Sequence, residues 1–236
     1  MININLHAYL KQLRKQREMH KIKLPMVIVT GIDGSGKSTI VRLLAEHLRN
    51  EGYQPKQIWI KSLHTLASLI SILLTLYRKK NLFKNPNEIA VSRFRPSDYG
   101  SMSKIWPLIE SISVIPVILL EVFLLIFFGF TIIADRYVID TIVMISTNTK
   151  NVNFYNSFLG RILFRMIPKG TITIYLDVDL DTVLRRRPDI EYTLKEIETQ
   201  LMLYRRLAGM VGAYVIDTSA SDLHVTMKEI FEKLPL

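Results

Sequence analysis

Residues 31–39 read Gly31-Ile32-Asp33-Gly34-Ser35-Gly36-Lys37-Ser38-Thr39, between the apolar run MVIVT (26–30) and the helix-like IVRLLAEHL (40–48). Three glycines in six residues are costly inside a strand or a helix, so they need a backbone reason. The spacing G-x-x-x-x-G-K-[ST] supplies one: a loop whose amide N–H groups point inward around a phosphate. The helix that opens near Lys37 adds its N-terminal dipole to that anion site. In such a loop the lysine, here Lys37, sets a point charge on the β/γ-phosphates, and the hydroxyl of Ser38 is a ligand for Mg²⁺. A strand before and a helix after are the context the pattern requires.

Working outward, apolar runs of strand length alternate with longer helical patterns: QIWI (57–60), FTIIA (130–134), TITIYLDV (171–178) and AYVID (213–217) follow MVIVT. Such alternation predicts an α/β fold with a parallel sheet covered on both faces. Leu24-Pro25 divides an N-terminal extension, residues 1–24, from a phosphate-loop domain, residues 25–236.

Composition narrows the class. A chain of 236 residues with 49% hydrophobic content builds a sizeable core, which excludes wholesale disorder. It has no cysteine, hence no disulfide framework, thiolate metal site or cysteine nucleophile. A cytoplasmic location is the expectation. The net charge of +10 is uneven, because Lys11, Arg14, Lys15, Arg17, Lys21 and Lys23 oppose only Glu18 in the extension. Ile4, Leu6, Leu10 and Leu13 recur there near helical spacing. The extension reads as a basic amphipathic helix, either solvated against the domain or touching an acidic membrane surface. It has no basic n-region followed by an apolar core, so it does not read as a secretory signal. No specific nucleic-acid partner is expected.

Two segments, 63–77 and 108–128, are strongly apolar, and Arg78-Lys79-Lys80 closes the first. The second is long enough to span a bilayer, but Pro116 and Glu121 interrupt it. Burial in a core or dimer interface, or peripheral contact with a membrane, are the two readings.

Further chemistry gathers at strand ends, where open α/β sheets bind ligands. Asp135, ending the FTIIA strand, can hold Mg²⁺ or its water, and Arg136 can clamp a second phosphate in a planar fork. Asp177 and Asp179 precede a short helix that delivers Arg185, Arg186 and Arg187, guanidinium groups suited to charge on transferred oxygens. Arg205-Arg206 is a second candidate pair for that region.

GIDGSGKST, ADRY, YLDVDLDTVLRRR and VIDTSASD, in this order, resemble the thymidylate kinases and their relatives. Arg187-Pro188 with Leu194, Glu196, Gln200, Tyr204 and Arg205 resembles one subset. The resemblance implies a P-loop NTPase three-layer fold with a five-stranded parallel sheet flanked by helices, paired as a homodimer through apolar helices such as 63–77 and 108–128. It implies an ATP- and Mg²⁺-dependent kinase for nucleoside monophosphates, usually dTMP, making the diphosphate. ATP would lie on Asp33, Gly34, Ser35, Gly36, Lys37, Ser38 and Thr39, with Thr218 and Ser219 near adenine. Asp33 and Arg136 would face the acceptor, and Arg185 and Arg187 would act from the lid.

The sequence also departs from the family. Where relatives carry an arginine block after the second strand, it reads WIKSLHTLAS, offering Lys61 and His64. Relatives place an aromatic and an arginine before Asp-Arg-Tyr. Here residues 108–128 hold Phe123, Phe127 and Phe128 but no arginine, leaving Arg93 or Arg95 to read a base. Two alternatives stand beside dTMP: an apolar or membrane-presented acceptor, and an NTP-binding module without catalysis.

Overall fold

A computed structural model of the chain describes residues 24–60, 65–82, 95–220 and 222–234. The extension up to residue 23, with Lys61, His64 and Arg93, lies outside the described residues.

Five parallel strands form one sheet: β1 (Met26–Thr30), β2 (Pro55–Ile58), β3 (Thr131–Asp135), β4 (Ile172–Asp177) and β5 (Tyr214–Asp217), in the order β2-β3-β1-β4-β5. Four of them match the apolar runs to within about one residue. β2 starts earlier than its run, at Pro55, and ends before Trp59. It is an edge strand, where a first-position proline loses no needed ladder hydrogen bond. Ile60, freed from the sheet, is fully buried in the core.

Alternation along β1 decides which helices cover which face. Val27 and Val29 pack under Ile40, Leu44 and Leu48 of α1 (Lys37–Asn50), together with Met227 and Ile230 of α9 (Leu223–Glu232). Met26 and Ile28 belong to the opposite core, with helices α5 (Val138–Thr149), α6 (Phe158–Arg165) and α8 (Leu194–Val211). The result is three layers, helix–sheet–helix, as the P-loop reading requires.

The apolar segments both form helices. α2 (Thr65–Leu82) carries the first and runs on through the basic triplet 78–80. The second is longer than its apolar stretch: α3 (Met102–Ile118) continues through a π-helical segment (Leu119–Phe123) into a final turn, α4 (Leu124–Phe127). Pro116 therefore does not break the helix. A proline inside a helix lacks one N–H and crowds the preceding turn, yet the helix continues past Pro116 and widens into a π turn from Leu119. Glu121 is exposed, so its charge is solvated rather than interruptive. Gly129 ends the helix at φ 86°, a left-handed conformation that glycine adopts without a Cβ penalty.

Because β1 sits between β3 and β4, the carboxyl ends of these three strands open onto one crevice. The Gly31–Thr39 loop leaves β1 there, Asp135 ends β3 with Arg136 just after it, and Asp177 ends β4.

Leu44→Ala should destabilise the fold by about 3 kcal/mol, because Leu44 is fully buried between α1 and the sheet. Urea unfolding followed by circular dichroism measures this.

Candidate functional site

The loop is built by its glycines. Gly34 and Gly36 take φ of 93° and 91°, in the left-handed region that other residues enter at a cost. Gly36 caps α1 without a side-chain cap, leaving first-turn amides of that helix as donors for an anion. Lys37 is buried, and its ammonium donates to the Ile32 carbonyl at 2.6 Å and sits 3.4 Å from the Ser35 hydroxyl. Burial, reinforced by the nearby Arg136 charge, pulls its pKa down to about 7. Thr39 is exposed at the start of the helix.

Ser38 and Asp135 meet across the crevice. The Ser38 hydroxyl donates to Asp135 Oδ2 at 2.7 Å, while Asp135 Oδ1 is buried without a hydrogen-bond partner. A buried carboxylate oxygen left unsatisfied is costly, and a hard cation beside a serine hydroxyl is the kind of partner it lacks. The donor set therefore fits Mg²⁺.

Arg136 is the most constrained side chain of the site. Its backbone takes φ 81°, which costs a non-glycine residue about 1–3 kcal/mol and persists only when surroundings enforce it. One guanidinium nitrogen pairs with Asp33 of the loop, and the other donates to Asp140 Oδ1 at 3.2 Å. Burial opposes its charge, but Tyr204, Asp140, Asp33 and Asp135 outweigh that and raise its pKa further.

Asp140, absent from the sequence-based candidates, is the hub. It is fully buried and accepts from Thr30 at 2.8 Å, Tyr204 at 2.9 Å and the Tyr137 backbone N–H at 3.1 Å, besides Arg136. The last backbone contact completes a capping box that starts α5. In the sequence the D-R-Y-x-x-D spacing shows only an acid on the first turn of the next helix, four residues after Arg136, as any helix cap would.

The lid arginines divide. Arg186 donates to the Gly34 carbonyl at 3.3 Å and to the Thr218 carbonyl at 2.6 Å, so it is stitched across the loop. Arg187 lies against the loop as well: a Cβ on Gly34 would come within 3.1 Å of its Cγ. Its guanidinium is held by Asp189 at 2.9 Å. Arg185 bonds instead to Thr182 of its own helix, α7 (Leu180–Arg186), at 3.2 Å. Arg205 is engaged by Asp177 at 3.1 Å, and Arg206 lies over the Tyr155 ring.

Thr218 is buried and joins the layers. Its hydroxyl donates to the Asp177 carbonyl at 3.0 Å and lies 3.3 Å from the Ser35 carbonyl. The Ser219 hydroxyl accepts from the Asp179 N–H at 3.0 Å. Thr218 thus touches the loop directly, while Ser219 is tied to Asp179 and Asp217.

The base-reading candidates do not converge. Phe123, Phe127 and Phe128 precede β3 and lie toward the amino end of the sheet, opposite the loop. Arg95 is held by Glu196 at 3.1 Å and lines a cavity of about 500 Å³ with Ser146, Lys150 and Thr193.

Loop, strand order and flanking helices together define a P-loop NTPase three-layer fold of the thymidylate-kinase type. Among solved structures, thymidylate kinase from Candida albicans, described as having broad substrate specificity, is 16% identical and superposes at a TM-score of 0.59. That match covers 89% of this chain and 90% of the kinase. Thymidylate kinase from Ehrlichia chaffeensis is 19% identical at a TM-score of 0.55, over 89% and 98%. No family model matches the sequence, and no curated protein does.

Asp140→Asn should cost about 3 kcal/mol of stability by leaving the buried Arg136 charge half-compensated, read by urea unfolding. Lys37 supplies a pH signature. Its lowered pKa means the unfolded chain binds more protons between about 7 and 10.5, so its contribution favours folding more as pH rises through that window. A phosphate anion reverses the preference. Nucleotide binding at pH 8 should take up close to one proton, measured by titration calorimetry in buffers of different ionisation enthalpy. Zero uptake would exclude a lysine that is largely neutral in the empty loop.

Proposed function

We propose that this protein is an ATP- and Mg²⁺-dependent kinase that phosphorylates a nucleoside monophosphate, with dTMP the first acceptor to test and dTDP its product. The observation that carries the reading is the pairing of two cationic sites across one crevice. Lys37 lies inside the phosphate loop, and Arg136 is fixed at its rim by Asp140 with its other arm turned to Asp33. One site suits the triphosphate of a donor, the other the phosphate of an acceptor.

In this reading an acceptor phosphate oxygen attacks the γ-phosphorus, the bond to the β,γ-bridging oxygen breaks, and ADP leaves with that electron pair. Ser38 and Asp135 would hold Mg²⁺, which supplies charge neutralisation over the β- and γ-oxygens. The loop amides and the protonated Lys37 orient the transferring group. Arg136 exchanges Asp33 for the acceptor phosphate while Asp140 keeps its plane fixed, so the acceptor arrives in line rather than by a free search. Arg186 and Arg187, against Gly34, are placed to meet charge on the transferred oxygens. Arg185 is the least engaged of the three with the loop and contributes least. Thr218 and Ser219 would flank the adenine side.

The test is ADP release from ATP and Mg²⁺ across a panel of nucleoside monophosphates, with a no-acceptor control. Turnover should depend on the acceptor, and Lys37→Ala should lower it by at least about a thousandfold. Equal ADP release with and without every acceptor would overturn the reading.

A further inference from the structure

Arg95, one of the two arginines left to read a base, borders a different space. With Ser146 of α5, Lys150 just past it, and Thr193, Lys195 and Glu196 at the start of α8, it lines a cavity of about 500 Å³. Asp33, Lys37 and Arg136 do not line it. From Asp140 to Ser146 is about 9 Å along the axis of α5, so the cavity is set apart from the crevice at the phosphate loop.

Two of its lining residues hold a buried donor without an acceptor, the Ser146 hydroxyl and Arg95 Nε. Ser146 is fully buried on a helix, where a hydroxyl can bond back to the carbonyl four residues earlier. Thr147 does so to Val143 at 2.9 Å and Thr149 to Ile145 at 2.7 Å, but Ser146 does not. A buried donor left unmade costs about 1–3 kcal/mol, so a cavity bordered by two of them is short of an acceptor. Glu196, the carboxylate among the lining residues, is already taken. Its Oε2 accepts from the Thr193 N–H at 2.8 Å, the Thr193 hydroxyl at 3.1 Å and Arg95 at 3.1 Å.

Charge gives the missing acceptor its sign. Arg95, Lys150 and Lys195 face Glu196 alone among the lining residues, an excess of two positive charges. Lys150 and Lys195 are exposed, and neither has a carboxylate partner. The first-turn amides of α8 add partial positive charge at the same end. A dianion rich in oxygen acceptors complements this set, which a phosphate monoester is and a neutral or singly charged group is not. The volume is that of a small-molecule site and far exceeds a bare ion, so the phosphate carries an organic body.

We propose that this cavity is a second anion site, which binds a small phosphate monoester through Arg95, Ser146, Lys150 and Lys195. It stands whether or not the chain is a kinase. Its occupant bridges the end of α5 to the first turn of α8, the two helices that meet again where Tyr204 donates to Asp140 beside Arg136.

The probe is glycerol 3-phosphate, titrated calorimetrically into the full chain. Binding should saturate in the micromolar to millimolar range, and the Lys37→Ala chain should retain it. The double variant K150E/K195E, changed only at exposed positions, should bind at least about tenfold more weakly with an unchanged circular dichroism spectrum. Ser146→Ala should weaken binding by about threefold or more while leaving the urea midpoint unchanged or raised, because it deletes a donor that the empty cavity leaves unpaired. Absence of binding at millimolar ligand would overturn the proposal, as would binding that K150E/K195E leaves intact or Lys37→Ala abolishes. A Ser146→Ala chain that loses stability but keeps its affinity would overturn it too.

Discussion

The buried carboxylate of Asp140 is the point on which the site depends. It receives a hydroxyl from β1, a hydroxyl from α8, the amide of Tyr137 that caps α5 and the guanidinium of Arg136. Four donors around one fully buried carboxylate satisfy it almost completely, which is the condition under which a charge can be kept out of water. Its neighbours are thereby fixed in turn. Arg136 holds a left-handed backbone that its own chemistry disfavours, and the end of β3 keeps its angle to the phosphate loop. The strain stored there is small beside the several kilocalories a broken buried network would cost.

A second tie holds the loop from the other side. Thr218 joins β4 to the loop backbone, and Arg186 bridges from Gly34 to Thr218. The loop is thus clamped between β3 through Ser38 and Asp135, and β4–β5 through Thr218. Its glycines supply the curvature and its neighbours the rigidity. Under the proposed function, a phosphate entering this cradle would meet backbone donors already in place, so little loop reorganisation would accompany binding.

Much of this was legible in the sequence because local chemistry and fold agree. GIDGSGKST needed no tertiary information: glycine spacing, lysine and hydroxyl define one kind of loop. The strands followed from apolar runs, and the three layers from their alternation with helices. Asp140 was not legible, since an aspartate at the start of a helix reads as an ordinary cap until Thr30 and Tyr204 converge on it from distant elements. The division among Arg185, Arg186 and Arg187 was hidden for a similar reason, because successive residues on a helix point about 100° apart and only packing tells which faces the loop. Pro116 and Glu121 looked like interruptions, yet the helix runs on through Pro116 and solvent takes up the Glu121 charge. Phe123, Phe127 and Phe128 have the right types for stacking on a base but stand at the wrong end of the sheet.

The proposed pair of phosphate sites, one at the Lys37 loop and one at Arg136, makes a geometric claim that one binding measurement addresses. A bisubstrate analogue, adenosine joined through a polyphosphate chain to thymidine, can be titrated calorimetrically against ATP alone. If Lys37 and Arg136 bracket a single line of transfer, the analogue binds far more tightly than ATP, and Arg136→Ala removes that advantage while leaving ATP affinity nearly intact. An analogue that binds no better than ATP, or whose advantage survives loss of Arg136, would contradict the two-site account.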